Sequence, residues 1–131
     1  MERLVLLDTH VLLWMVGDQR RVSRTGLRAI RAARKLLLAD ISFREVATLE
    51  RAGRIQLDRD VSEWLDEAVT ALALEVVAIS PSIAARSTHI AQDFHGDPAD
   101  QLIAATAIEL DVPLVTADEQ LRASPAVRTI W

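Results

Sequence analysis

Cysteine is missing from all 131 residues, which removes disulfides and thiolate metal ligands and suits a chain that works in a reducing cytoplasm. Lysine is nearly missing, Lys35 being the only one. No apolar run approaches a membrane span. The segment 4–16 comes nearest to a signal peptide, but Asp8 and His10 interrupt it and no small-residue cleavage pattern follows. Linkers, repeats and low-complexity stretches are also lacking. With 50% hydrophobic residues, the chain is long enough for one domain over 1–131 and too short for two ordinary ones.

The formal charge of −4 argues against indiscriminate coating of nucleic acid, yet the charge is uneven. Arg20, Arg21, Arg24, Arg28, Arg31, Arg34 and Lys35 follow one another without an acid between them. Arg24, Arg28, Arg31 and Lys35 keep helical spacing opposite Leu27, Ile30 and Ala33. They form either a solvated helix face or a track for phosphates.

Short apolar runs alternate with longer helical patterns. Strands are expected at Leu4–Leu7, Leu36–Ala39, Val76–Ile79, Pro113–Thr116 and Val127–Ile130. Helices fill the intervals. One is capped by Thr9 and runs through Trp14 and Met15, and a second is capped by Ser23 and runs to about Arg34. Ser42-Phe43-Arg44-Glu45 reads as a capping box for a helix that Gly53 ends. Further helices are expected over Val61–Leu74, from Pro81 to about Gln92, and, after a loop at 93–96, from Pro98 to about Leu110. Strands separated by helices imply an α/β fold, with a mostly parallel sheet of about five strands covered on both faces. Ligands of such sheets bind beyond the carboxyl ends of the strands.

Four acids stand where that crevice would be. Asp8 closes the first strand, Glu45 follows the second, Asp100 opens an alanine-rich helix, and Asp118 follows the Leu114-Val115 strand. Each has a local explanation as a cap, a turn residue or a partner of the helix dipole. Four independent caps, however, need not converge on one crevice. Converging carboxylates repel unless they share a proton or a divalent cation, so the pattern reads as a site for Mg2+ or Mn2+. Asp8 and Asp100 are the expected direct ligands, Asp118 a ligand or water-mediated partner, and Glu45 a ligand or water-orienting base. The Thr9 and Thr116 hydroxyls are placed to hydrogen-bond them. Such a site suits in-line attack of water on a phosphodiester. His10, His89 and His95 match no zinc spacing.

The local contexts of these acids resemble the PIN-domain ribonucleases, specifically the VapC-type toxins of bacterial toxin-antitoxin pairs. The matching stretches are Leu6-Leu7-Asp8-Thr9-His10, Ser42-Phe43-Arg44-Glu45-Val46-Ala47, 95–107 from His95 through Asp97-Pro98-Ala99-Asp100, and Leu114-Val115-Thr116-Ala117-Asp118. The resemblance implies a three-layer α/β/α sandwich, a homodimer, metal-dependent endonucleolytic cleavage of RNA, and a small antitoxin that blocks the site. It places the family's acidic quartet on Asp8, Glu45, Asp100 and Asp118. Asp97 belongs to a His-x-Asp-Pro variant of the motif, with His95 bracing its loop, and Gln101 departs from the arginine that often follows Asp100. A crevice this negative favours an antitoxin that inserts a basic side chain, its hydrophobic residues filling a groove near Trp14 and the 42–53 helix.

Two other classes compete. A flavodoxin-like phosphotransfer or phosphatase domain, with a similar sheet order, would put Asp8 after its first strand but needs a lysine near the later strands, and Lys35 lies elsewhere. A catalytically silent interaction module would keep the acids as caps, yet none of the quartet is missing.

Overall fold

The computed structural model describes residues 3–90 and 96–131. The five strands are β1 (Leu4–Leu7), β2 (Lys35–Ala39), β3 (Glu75–Val77), β4 (Leu114–Val115) and β5 (Thr129–Ile130). They form one sheet in the order β3-β2-β1-β4-β5, and every neighbouring pair is parallel. Among the described residues seven α-helices connect them: α1 (Thr9–Gly17), α2 (Arg24–Ala32), α3 (Ile41–Arg51), α4 (Val61–Ala71), α5 (Pro81–Ile90), α6 (Pro98–Leu110) and α7 (Glu119–Ala123).

The pleat of the strands divides the core in two. Val5, Leu7, Leu38 and Val115 face the layer of α1, α2 and α4, where Val11, Leu12, Ile30, Trp64 and Ala68 meet them. Leu6, Leu37, Ala39 and Leu114 point the other way, onto Ile90 of α5, Ile103, Ala104 and Ala107 of α6, and Leu121 of α7. Central strands apolar on both faces are what a covered parallel sheet requires. The result is the expected α/β/α sandwich.

Strand order reverses at β1, whose neighbours β2 and β4 lie on opposite sides. The crevice beyond the carboxyl ends of β1 and β4 is therefore the natural binding place. This order also corrects the similarity assumed for the flavodoxin-like rival, whose sheets run 2-1-3-4-5.

Several boundaries differ from the sequence reading. Thr9 is not a cap: Asp8 leaves β1 extended, accepts the Leu12 N–H on its carbonyl, and takes the Thr9 N–H on its carboxylate. Ser42 is not a cap either. Asp40 already has helical dihedrals, so the chain enters α3 at Ile41 and Ser42 is buried inside the first turn. The basic stripe loses one member because α2 ends at Ala32, Ala33 turning extended so that Lys35 can pair with Leu4 at the start of β2. Helix α4 stops at Ala71, and Ala73 takes a left-handed turn (φ 48) that brings Glu75 to Val77 against β2. The end of the expected 81–92 helix and the 93–95 part of the expected loop, with His95, lie outside the described residues.

Candidate active site

Asp8 is 6% exposed, and both of its carboxylate oxygens are engaged. Oδ1 accepts the Thr9 N–H at 2.8 Å, and Oδ2 accepts the Thr116 hydroxyl at 2.6 Å. Thr116 in turn accepts the Asp118 N–H at 3.0 Å, so one buried hydroxyl ties the acid after β1 to the loop after β4. The backbone does the same, Asp8 N–H donating to the Val115 carbonyl at 3.0 Å. Asp118 caps α7 through the Leu121 N–H. Burial pushes the Asp8 pKa up; the two hydrogen bonds oppose it.

Glu45 and Ser42 are three residues apart on α3, hence on one face. Ser42 and Thr9 are both fully buried, with their hydroxyl oxygens 2.9 Å apart. Burial raises the Glu45 pKa, the Thr9 hydroxyl lowers it, and the charges of Asp8 and Asp97 raise it further. Thr9 has one proton to give; if Glu45 receives it, Ser42 is the donor to Thr9. Glu45 Oε1 is buried without a hydrogen-bond partner among the described residues.

The start of α6 delivers the remaining acids. Asp97 is its N-cap, accepting the Asp100 N–H at 2.9 Å, and Pro98 occupies the first helical position, where no N–H is needed. Gln101 donates its amide to the Gly96 carbonyl at 3.0 Å, so this departure from the usual arginine braces the helix entry. A helix N-terminus favours a carboxylate by about 0.3–1 kcal/mol. Here the opposing effects win: burial first, then Asp97, Asp8, Glu45 and Asp118, push the Asp100 pKa up to about 7.

All four members of the expected quartet, together with Asp97, line one hollow of about 510 Å³, with His10, Trp14 and Arg54 on its walls. Ligand atoms of Glu45, Asp97 and Asp100 lie within 4.8 Å of one another. Asp97, which lies outside the quartet expected from the sequence, thus belongs to the close group found among the described residues, while Asp8 is set beside it. Arg24, Arg28 and Arg31 line a separate hollow that shares no residue with this one. Two contributors escaped the sequence reading. The spacing of Ser42 to Glu45 fits a capping box as well as a site residue, and Arg54, beyond the Gly53 that ends α3, carries no motif.

Three carboxylates converging around a buried, unpartnered oxygen, at the switch point of a parallel sheet, form a hard-oxygen donor set. Comparison with known proteins agrees with this architecture. The PIN domain family model matches residues 5–126. Ribonuclease VapC22 of Mycobacterium tuberculosis (strain ATCC 25618 / H37Rv) is 43% identical over 129 residues, covering 97% of this chain and 98% of the relative. Among solved structures, DNA-bound VapBC from Salmonella typhimurium superposes with a TM-score of 0.71 at 18% identity, covering 98% of this chain and 97% of that one. VapBC2 from Rickettsia felis, bound to a DNA fragment from their promoter, gives 0.70 at 15% identity, with 96% of each chain covered. Fold, strand order and a family match running from β1 to beyond α7 lead to one conclusion: the chain belongs to the PIN-domain family.

Proposed function

We propose that this protein is a metal-dependent endoribonuclease, the toxin of a toxin-antitoxin pair, acting in the cytoplasm as a homodimer. The observation that carries the reading is the convergence of Glu45, Asp97 and Asp100 within 4.8 Å. The 43% identity to a ribonuclease supports RNA as the substrate. Glu45, Asp97 and Asp100 would hold a Mg2+ or Mn2+ ion, with Asp8 and Asp118 at its flank, and the orphaned Glu45 Oε1 fits such a ligand role. The cation supplies Lewis-acid stabilisation of charge on the phosphate and makes an attacking water more acidic.

The side chains divide the remaining work. Glu45, held by the Thr9 hydroxyl, whose oxygen lies 2.9 Å from that of Ser42, would orient an attacking water beside the ion. Asp8, locked by the Thr9 N–H and the Thr116 hydroxyl, is a carboxyl group held in place beside the triplet. The Thr116 link to Asp118 keeps both strand-end acids in register. The test is incubation of purified protein with total cellular RNA in Mg2+, Mn2+ or EDTA, followed by mapping of new ends. Discrete ends that appear with metal and vanish in EDTA are expected; RNA left intact in all three would remove the reading.

The partner follows from the same electrostatics. Five acids around one hollow favour a basic side chain entering it. We infer a small antitoxin that places Arg or Lys among them, with apolar residues against Leu13, Trp14, Ile55, Leu57 and Trp64 in the adjoining groove between α1 and α4. Purification from the native host should yield a complex whose nuclease activity is suppressed and recovers as salt rises. A co-purifying partner that leaves cleavage untouched would exclude this mode of inhibition.

A further inference from the structure

The acid hollow adjoins a second one of about 430 Å³, and the two share His10, Trp14, Arg54 and Ile55 as lining residues. Arg54 is the one arginine or lysine among the described residues lining the acid hollow. Its backbone is fixed: Gly53 takes a left-handed conformation (φ 74), and the Arg54 N–H returns to the Leu49 carbonyl at 2.9 Å, setting the residue against the end of α3. Arg21 lies farther out on the second hollow, its guanidinium 4.9 Å from the centre of the Trp14 ring. Stacking on an indole holds a guanidinium in place while leaving its N–H donors free. His10 tilts against Trp14 with ring centroids 6.0 Å apart, so an aromatic edge runs beside the two cations.

A polyanion approaching five acids is repelled unless fixed positive charge adjoins them. Arg54 and Arg21 supply it in sequence, outward from the acids. We propose that single-stranded RNA reaches the acidic centre along this second hollow, with successive phosphates on Arg54 and Arg21 and an unpaired base against the Trp14–His10 edge. A basic groove edged with aromatic rings is the usual design for single strands, since a paired base cannot reach a ring. This path rests on the nuclease reading above and reassigns RNA contact from the α2 arginines, which line a different hollow.

The test compares two double charge reversals of equal size: Arg21→Glu with Arg54→Glu, and Arg24→Glu with Arg28→Glu. All four positions are exposed, so both variants should fold. Affinity for a short fluorescein-labelled single-stranded RNA of mixed sequence is read by anisotropy in EDTA across a salt series, and cleavage of the same RNA in Mn2+. The groove variant should bind about tenfold or more weakly, with a salt slope smaller by about 1.4, the value for two lost phosphate contacts on a single strand. Its KM should rise more than its kcat falls, and the α2 variant should stay near wild type. A gentler Arg21→Gln with Arg54→Gln pair should move affinity the same way by less. Equal losses in both reversals, no loss in the groove variant, or tighter binding of a duplex of the same sequence would overturn this path while leaving the nuclease reading intact. A wild type that neither binds nor cuts the RNA would overturn both.

Discussion

Addition of Mn2+ or Mg2+ should raise the melting temperature by about 5 °C near pH 8 and by very little near pH 5. The sign follows from the raised carboxyl pKa values. The pKa of Asp100 is about 7 in the fold against an ordinary 3.8, and Asp8 and Glu45 are shifted in the same direction. Between those limits the folded protein holds more protons than the unfolded chain. The stability Asp100 contributes is therefore complete at low pH and is lost as pH rises through about 7, and Asp8 and Glu45 act in the same direction. Without a cation, melting temperature should fall across this window. A cation competes with the protons for the same oxygens, so its effect grows where they leave. At ten times its dissociation constant it contributes about 1.4 kcal/mol, which gives the shift stated. Calorimetry at a series of pH values, with and without Mn2+, reads this directly. A gain independent of pH would place the cation away from Asp100.

Much of this site is legible in the residues because strands announce their own ends. Leu4–Leu7 and Leu114–Val115 are apolar on both faces, so the first acid after each must lie at the carboxyl edge of the sheet, and Asp8 and Asp118 are there. Asp97-Pro98 marks a helix start without ambiguity, since proline fits the first turn and little else in a helix. What was misread has a common cause. Ser42 and Thr9 have the composition of caps, and local preference cannot reveal that two helices pack close enough to pair their hydroxyls. Tertiary contact overrode a capping preference worth about 1 kcal/mol. Helical spacing alone puts Lys35 on the basic stripe, although the register of β2 with Leu4 claims it for the sheet. The order β3-β2-β1-β4-β5 and the groove joining Arg54 to Arg21 are long-range results, which periodicity does not encode.

The acids should matter far more to turnover than to folding. Asp100→Asn keeps the shape of the side chain and its place after the Asp97 cap, and it removes one of five crowded acids. The variant should therefore melt no lower than wild type without metal near pH 8, and its cation-induced gain should disappear. Loss of a group that helps supply several kcal/mol of transition-state stabilisation corresponds to about a thousandfold or more in rate. The measurement that tests the account most directly is cleavage of cellular RNA by wild type and Asp100→Asn side by side in Mn2+, with melting curves of both. Discrete new ends from wild type and none from a variant that melts normally are predicted. Equal cleavage by the two proteins would contradict the claim that this carboxylate cluster is the catalytic centre.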